Sequence, residues 1–294
     1  MAQKTLKILS GKPTVEYHEK LIRERRVELE KKEGRAPELS LATIQVGDSL
    51  DVQLYAKHLS KILVRFGIRH IEKTFPAQTP SDRLLKEVGQ IYQDPTLTGT
   101  LIFSPLPPNA PTVNLFIDMP VTKDVEGRTF LKRNPFGVFS PTAKASMALL
   151  RHLERHPENK FSITGKHAVM VGHSDLVGKP TALLLSDAGA TVTVCHKDTK
   201  NIKKYVGDAD ILVVAVGKPN LIPGGWIKRG SVVIDVGENV VDGKVVGDVN
   251  FDEAIKRAAF ISPVPGGVGP LTNLMLIENL LTLHEFKGRL NGLH

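Results

Sequence analysis

Segments with apolar residues at helical spacing alternate along the chain with segments typical of strands, and together they predict an α/β fold. Apolar residues recur at helical spacing in segments near residues 14–32, 51–66, 81–92, 143–153, 181–187 and 271–283. Strands are predicted at residues 41–46, 69–75, 99–103, 168–171, 191–195, 211–217 and 231–237, with a last one from residue 260. Several of them, such as residues 168–171 and 211–217, are compact apolar runs typical of buried parallel strands. The alternation favours parallel sheets covered by helices.

The chain of 294 residues is long enough for two domains of ordinary size. We expect residues 1–149 to form an N-terminal α/β domain of catalytic type. Residues 150–270 then form a Rossmann-like, doubly wound domain, and a helix over residues 271–294 returns to the first domain. Ligands are expected in the cleft between the domains.

The stretch at residues 165–180 has the pattern of a nucleotide-phosphate cradle. Its strand, residues 168–171, ends at Gly172, where a Cβ would obstruct a pyrophosphate. Gly178 opens a helix whose free N–H groups can face an anion. Ser174 stands at the second glycine position of the G-x-G-x-x-G pattern, so the motif is incomplete. The helix and strand that follow complete a βαβ unit.

The end of the second strand of this unit bears on the choice of dinucleotide. Lys197 stands near the place where the fold usually has an acidic residue for a ribose 2′-hydroxyl. A cation there suits a 2′-phosphate and favours NADP over NAD, although Asp198 is adjacent and a solvated loop lysine is the alternative. His196 is predicted near the adenine ribose, with capping of the next helix as its alternative.

Composition narrows the possible partners. The net charge of +8 suits an anionic cofactor or a polycarboxylate substrate, whereas nucleic acid is disfavoured because acidic residues are interspersed and aromatics are only 5%. No apolar run is long enough for a bilayer, and the N-terminus lacks the apolar core of a signal peptide, so we expect a cytoplasmic protein without membrane partners. One cysteine, Cys195, excludes an internal disulfide, and the ten histidines show no metal-ligand spacing, so no metal is expected.

Several short motifs can now be compared with known families. They lie at residues 171–180, 194–196, 235–237, 246–249 and 263–270, of which the last is highly specific. With them the sequence resembles the methylenetetrahydrofolate dehydrogenase/methenyltetrahydrofolate cyclohydrolase family over essentially its full length. The resemblance implies a two-domain subunit, usually a homodimer, that binds folate beside NADP or NAD. Such enzymes oxidise 5,10-methylenetetrahydrofolate by hydride transfer and hydrolyse the methenyl product to 10-formyltetrahydrofolate.

The resemblance, together with the strand-end glycines, assigns candidate binding residues. Those expected to bind the folate substrate are Tyr55, whose ring would pack on the pterin, Glu126, Pro265, Gly266, Gly267 and Gly269. Those expected to bind the dinucleotide are Gly172, His173, Ser174, Val177, Gly178, His196, Lys197, Gly217, Gly237 and Glu238.

The first half departs from the family where proton transfer takes place. Tyr55 matches the family's tyrosine, but Leu59 stands at the lysine position and Phe103 at the glutamine that holds this lysine. A leucine neither activates water nor stabilises negative charge, so the joint loss resembles an abandoned proton-transfer site. Glu126 stands at the position of the substrate-binding aspartate, and His173 at that of the usual arginine.

His58 is a candidate general base, because residues three apart on a helix share a face and His58 would lie near Tyr55. An ordinary surface histidine is the alternative. Three functions remain open: a dehydrogenase whose hydrolysis is weak or absent, a degenerate paralogue that binds dinucleotide, folate or a partner without turnover, and a different oxidoreductase on a similar scaffold. The glycines at residues 266–269 argue against the third. Hydride transfer favours the first, because it needs mainly positioning while the nicotinamide carries the chemistry.

Overall fold

The computed structural model describes residues 8–129 and 138–291, which fold into two compact α/β units. We call Met1–Glu19 with Ser140–Met275 the five-strand unit, and Lys20–Phe139 with Leu276–His294 the three-strand unit. The five-stranded and three-stranded sheets are both parallel, so the predicted α/β class with two domains is confirmed. The limits of these two units differ from the predicted domain limits at residues 149/150 and 270/271. The predicted domain limits therefore stay a prediction.

The elements of the described chain follow the predicted alternation. The helices are α1 (Lys12–Glu33), α2 (Leu50–Arg65), α3 (Ser81–Gln93), α4 (Thr112–Ile117), α5 (Pro141–Arg155), α6 (Gly178–Asp187), α7 (Ile202–Asp208), α8 (Phe251–Ala254) and α9 (Gly269–Asn291). The strands are β1 (Ser40–Val46), β2 (Arg69–Phe75), β3 (Gly99–Ile102), β4 (His167–Val171), β5 (Thr191–Cys195), β6 (Ile211–Val214), β7 (Val232–Asp235), β8 (Asn239–Val241), β9 (Lys244–Val246) and β10 (Phe260–Ile261). None of the described helices combines the length and apolar character that crossing a membrane requires.

The five-strand unit contains a Rossmann-like sheet in the order β10-β7-β6-β4-β5, with every neighbouring pair parallel. The chain leaves β4 for β5 on one side and returns to β6 on the other, so the direction of winding reverses at β4. The central strands β4, β6 and β7 are almost entirely buried, as the apolar runs predicted. Ligands of open α/β sheets bind at such a reversal, beyond the carboxyl ends of the strands.

The three-strand unit contains a parallel sheet in the order β2-β1-β3, with fully buried β1 at its centre. Its core includes Ile44 of β1 and Leu84 of α3, which are both inaccessible to solvent. Asn279 of α9 also lies in this unit and is fully buried. Its Nδ2 donates to the carbonyls of Val125 and Phe139, each at 2.8 Å, so one amide fixes two backbone segments.

A buried carboxylate, Asp248, organises the backbone beyond β6. It accepts N–H groups from three consecutive residues, Val216 (2.6 Å), Gly217 (3.0 Å) and Lys218 (2.8 Å). The amide of Asn239 donates to the same carboxylate at 2.9 Å. Because hydrogen bonds to a charged acceptor are the stronger kind, this turn has little freedom to move.

A second carboxylate, Asp235 at the end of β7, accepts N–H groups from Gly237 and Asp248 at 3.0 Å and from Val249 at 2.9 Å. Burial raises the pKa of Asp235 to about 6, although its backbone donors oppose the rise and the charge of Asp248 adds to it. The two carboxylates thus lie in one buried network that joins the ends of β6 and β7 to the segment after β9.

Glycines border this network because there is no room for a side chain. A Cβ on Gly237 would lie 2.1 Å from Cγ of Asp248, and one on Gly247 would lie 1.9 Å from Oδ2 of Asp235. Both distances are far below van der Waals contact, so either substitution would displace a carboxylate from its donors.

We expect Gly247→Ala to lower the free energy of unfolding of the five-strand unit by roughly 2 kcal/mol or more, because overpacking adds to lost hydrogen bonds. Urea unfolding followed by the fluorescence of Trp226, the single tryptophan, measures this unit directly. Gly207→Ala is the matched control, since a Cβ there would meet nothing nearer than 3.5 Å. Equal stability of the two variants would contradict the prediction.

Candidate functional site

The turn between β4 and α6 brings backbone into very close contact. Gly172 has φ +117°, and a Cβ on it would lie 2.2 Å from the carbonyl oxygen of Ala215, which follows β6. A Cβ on Gly178 would lie 2.3 Å from the carbonyl oxygen of Gly172 itself. The Gly172 N–H donates to the carbonyl of Cys195 at 2.8 Å, so the ends of β4, β5 and β6 meet here. Only glycine permits this convergence.

The hydroxyl of Ser174 binds backbone N–H groups at the start of α6, which the glycine pattern alone did not indicate. Its Oγ accepts the N–H groups of Val177 (3.2 Å) and Gly178 (3.3 Å). These are two of the N–H groups that the sequence analysis expected to face an anion. The hydroxyl thus occupies the start of the helix, and its exposed position leaves it able to exchange these donors with a ligand.

Two imidazole rings meet beside this turn. The rings of His173 and His196 lie 4.9 Å apart at an angle of 35°. Nδ1 of His196 accepts a hydrogen bond from the N–H of Asp198 at 3.3 Å. Lys197, which stands between these two residues in the sequence, is exposed. The structure therefore brings three of the predicted dinucleotide-binding side chains to the carboxyl ends of β4 and β5.

The remaining predicted dinucleotide residues lie at the ends of β6 and β7. Gly217, with φ +64°, donates its N–H to Asp248, and Gly237 donates to Asp235. Glu238 follows as an exposed residue. These backbone positions are fixed by the carboxylate network, so this edge of the sheet is rigid before any ligand binds.

The glycine loop before α9 is held by the N-terminal segment of the same unit. The Gly11 N–H donates to the carbonyl of Gly266 at 2.8 Å. A Cβ on Gly11 would lie 2.3 Å from the oxygen of Gly267, and one on Gly267 would lie 2.6 Å from the oxygen of Pro263. Gly269, by contrast, has open space beside it, and Pro265 is exposed. The loop presents backbone rather than side chains.

In the three-strand unit, Tyr55 of α2 and Phe103 after β3 are in contact. Their rings lie edge to face, 5.7 Å apart at 83°. Burial raises the pKa of the Tyr55 hydroxyl, and the charge of Glu126 raises it further. Leu59, one turn along α2, has no exposed surface, whereas His58 is exposed. Apolar side chains therefore stand at positions 59 and 103, while Tyr55 itself is 37% exposed and its hydroxyl keeps its proton near neutral pH.

Glu126 forms a close ion pair that the sequence analysis missed. The Nε of Arg128 lies 2.6 Å from Oε2 of Glu126, and its Nη2 donates to Oγ of Ser104 at 3.3 Å. The guanidinium also lies 4.2 Å from the centre of the Phe116 ring. Burial raises the pKa of Glu126, and Arg128 opposes this rise. The short sequence Glu126-Gly127-Arg128 was the available signal.

The arrangement suits binding and positioning more than proton transfer. The carboxylate of Glu126 is neutralised by Arg128, and the Tyr55 hydroxyl holds its proton. Within residues 8–129 and 138–291, no three His, Cys, Asp or Glu side chains form a group that could hold a metal ion.

Comparison with known proteins finds two matching family models along the chain. Residues 9–126 match the catalytic domain of tetrahydrofolate dehydrogenase/cyclohydrolase, and residues 140–288 match the NAD(P)-binding domain of the same enzymes. The bifunctional protein FolD of Dictyoglomus turgidum is 39% identical over 93% of this chain and 96% of its own. That of Acidithiobacillus ferrooxidans is 40% identical over 86% of this chain and 88% of its own.

Solved structures agree with the sequence comparison. The bifunctional FolD of Campylobacter jejuni has a TM-score of 0.87 at 33% identity, covering 95% of this chain and 99% of that one. The enzyme of Trypanosoma brucei, in complex with NADP and an inhibitor, has a TM-score of 0.84 at 35% identity, covering 96% and 98%. The resemblance found in the sequence is thereby confirmed: the chain belongs to the tetrahydrofolate dehydrogenase/cyclohydrolase family.

Proposed function

We propose that the chain oxidises 5,10-methylenetetrahydrofolate by hydride transfer to NADP⁺ and hydrolyses the methenyl product weakly or not at all. The observation that carries this proposal is the contrast between the two halves. The glycine turn at Gly172 keeps the close backbone approach of a dinucleotide site, while Leu59 is fully buried where a proton-handling lysine is expected. The relatives named bifunctional support the substrate class.

The five-strand unit has the features that a dinucleotide requires. Gly172 and Gly178 leave no side chain over the ends of the strands, and a Cβ would fill that space. When bound, NADP⁺ supplies the carbon that accepts the hydride. The residues proposed to hold it are Gly172, His173, Ser174, Val177, Gly178, His196, Lys197, Gly217, Gly237 and Glu238.

We favour NADP over NAD because basic side chains collect where β4 and β5 end. His173 and His196 are in ring contact, and Lys197 adds an exposed ammonium group. Such donors suit a 2′-phosphate, whereas a carboxylate there would favour a ribose hydroxyl. The relative from T. brucei was solved with NADP, which supports this choice.

The proposed folate residues act by shape and charge. The Tyr55 ring is set edge to face with Phe103 and offers an aromatic surface to a pterin. Glu126, held by Arg128, offers a fixed carboxylate to pterin N–H groups. The backbone of the glycine loop completes the proposed set through Pro265, Gly266, Gly267 and Gly269.

Hydride transfer and hydrolysis make different demands on these residues. In the first step the methylene carbon loses a hydride and becomes part of a methenyl cation, so no side chain gains or loses a proton. In the second step water adds to that cation, and a base must take a proton from the water. Leu59 cannot do so, and Phe103 offers no hydrogen bond to orient a substitute. The dehydrogenase step is therefore the one that this site favours.

Two further expectations extend the proposal. The family resemblance favours a homodimer, and the sequence pattern favours a cytoplasmic location.

A degenerate paralogue that binds dinucleotide or folate without turnover is the second candidate function, and the joint replacement at Leu59 and Phe103 favours it. The assay below separates the two.

We expect purified protein to reduce NADP⁺ faster than NAD⁺ in the presence of 5,10-methylenetetrahydrofolate, because the site retains its positioning residues. The methenyl product should accumulate and decay near its buffer rate, since no lysine is available at position 59. Absorbance of reduced nicotinamide and of the methenyl product, recorded together, measures both steps. Binding of NADP⁺ without reduction would support the degenerate paralogue, and rapid loss of the methenyl signal would refute the hydrolysis claim.

Arg128→Met should raise the KM for methylenetetrahydrofolate by about tenfold and change kcat less, because Glu126 loses its buried counter-ion. The pKa of Glu126 should then rise further, so that KM increases more steeply than in the wild type as pH falls. Arg128→Lys should restore part of the loss. Arg83→Met is the control, because it breaks an equally short but exposed pair with Glu87. An unchanged KM in Arg128→Met would contradict the assigned role of Glu126.

We propose His58 as the base for any residual hydrolysis, so His58→Ala should abolish methenyl decay above the buffer rate. NADP⁺ reduction should persist, because His58 is exposed and lies outside the Tyr55–Phe103 contact. Lys57→Ala, a change at the preceding exposed position, is the control. Hydrolysis that is equal in both variants and the wild type would exclude His58.

A further inference from the structure

A cavity of about 850 Å³ lies in the three-strand unit, away from Tyr55 and Glu126. It is bordered by the second half of α1, the segments that lead into β1 and β2, residues 95–98 before β3, and the end of α9. It therefore lies at the amino ends of the strands, whereas Phe103 follows the carboxyl end of β3. A volume of this size is typical of small-molecule sites.

The wall of this cavity carries an excess of positive charge. Its three carboxylates are Glu33, Glu38 and Glu285. Its six permanent cations are Arg26, Lys32, Arg35, Arg69, Lys287 and Arg289. Three positive charges thus have no carboxylate counterpart in the wall. A concave surface with such an excess concentrates anions.

The carboxylates of the wall are already paired. The pairs are Glu33 with His284 at 2.9 Å, Glu38 with Arg35 at 3.6 Å, and Glu285 with Arg25 at 2.7 Å. Arg25 lies outside the wall, so Glu285 does not neutralise a cation that faces the cavity. Of the six wall cations, only Arg35 belongs to one of these three pairs.

Two of the arginines are held by neutral oxygens. Nη1 of Arg26 donates to the carbonyl of Phe66 at 2.8 Å. Nη2 of Arg69 donates to Oγ1 of Thr96 at 3.0 Å. These bonds fix each guanidinium in place. The charge of Glu30 acts on Arg26, and Asp94 and Arg69 act on each other, but neither carboxylate lies in the wall of the cavity. Both guanidinium groups also have further N–H donors outside these bonds.

Lys287 of α9 is fixed in the same way, because its Nζ donates to the carbonyl of Pro95. The charge of Lys287 also acts on the neighbouring Lys123. Burial is the larger cause of the lowered pKa of Lys123, and the charge of Lys287 is the next. Asp94 opposes this effect on Lys123, and Asp94 also interacts with Arg69 of the wall.

Helix ends explain only part of this excess. Lys32 and Arg289 lie in the last turns of α1 and α9, where cations offset the partial negative charge of the free carbonyls. Arg26 and Arg69 are not in such positions. Cations that neutral oxygens fix in place, and that outnumber the carboxylates of one concavity, are typical of an anion site.

We propose that this cavity binds a small polyanion that carries at least two phosphate or carboxylate groups. The planar guanidinium groups of Arg26 and Arg69 present paired N–H donors to such groups, and Lys287 adds a point charge. This site is separate from the proposed dinucleotide site, which lies in the other unit. The inference therefore does not rest on the proposed function.

Calorimetric titration of the full chain tests the proposal, with NADP⁺ present in excess so that the dinucleotide site is occupied. Inorganic pyrophosphate, tripolyphosphate and citrate are the probes, and they distinguish phosphate from carboxylate chemistry. At least one should bind saturably, with an affinity that falls as salt rises. The double variant Arg69→Gln with Lys287→Gln should bind about tenfold more weakly or worse, which corresponds to loss of one charge-assisted hydrogen bond.

Two further variants make the outcome decisive. Lys32→Gln with Arg289→Gln also removes two charges from the wall but keeps the bonds to Thr96 and Pro95, so it tests charge even if the first variant unfolds. Lys73→Gln with Lys86→Gln removes two exposed charges of the same unit outside the wall and should bind like the wild type. Absence of saturable binding to any probe, or equal weakening by the control pair, would overturn the proposal.

Discussion

The carboxylates of Asp235 and Asp248 are the constraint on which the dinucleotide-binding half depends. Between them they accept six backbone N–H groups at 2.6 to 3.0 Å, which come from the segments after β6, β7 and β9. Parallel strands leave their terminal N–H and carbonyl groups without partners, and here side chains supply the acceptors. The glycines at 237 and 247 follow from this arrangement, since the carboxylates occupy the space of their side chains. The edge that would receive a cofactor is therefore set before binding and needs little reorganisation.

In the three-strand unit, the carboxylate of Glu126 is paired with a cationic side chain, whereas Asp235 and Asp248 are bound by backbone N–H groups. Glu126 and Arg128 neutralise each other within a largely buried pair, and Tyr55 keeps its proton because burial and the Glu126 charge both oppose ionisation. A buried pair of this kind fixes geometry more than it adds stability, since desolvation offsets much of the attraction. Such a site can orient a substrate through a fixed carboxylate and an aromatic ring.

The sequence predicts the parts of this protein that depend on local pattern. The apolar runs place β4, β6 and β7, and the glycine spacing places the turn at Gly172, because backbone sterics are local. It does not predict the short helices α4, α7 and α8 or the β8–β9 hairpin, which have too few residues for a clear period. The roles of Asp248, Arg128 and Ser174 were missed for another reason. Each depends on which partner a polar side chain meets in the folded chain, as when Asp248 accepts N–H groups about thirty residues away.

The packing of α2 is the structural basis of the proposed loss of hydrolysis, and a single substitution would not be enough to reverse it. Leu59 has no exposed surface, so a lysine there would bury an ammonium group among apolar neighbours at a cost of several kcal/mol. A partner that could accept its hydrogen bonds would have to stand at position 103, where the Phe103 ring is buried against Tyr55. Both positions would have to change together, because each polar residue is unfavourable without the other. Hydride transfer does not meet this obstacle, since it depends on the distance between two carbons rather than on a charged side chain.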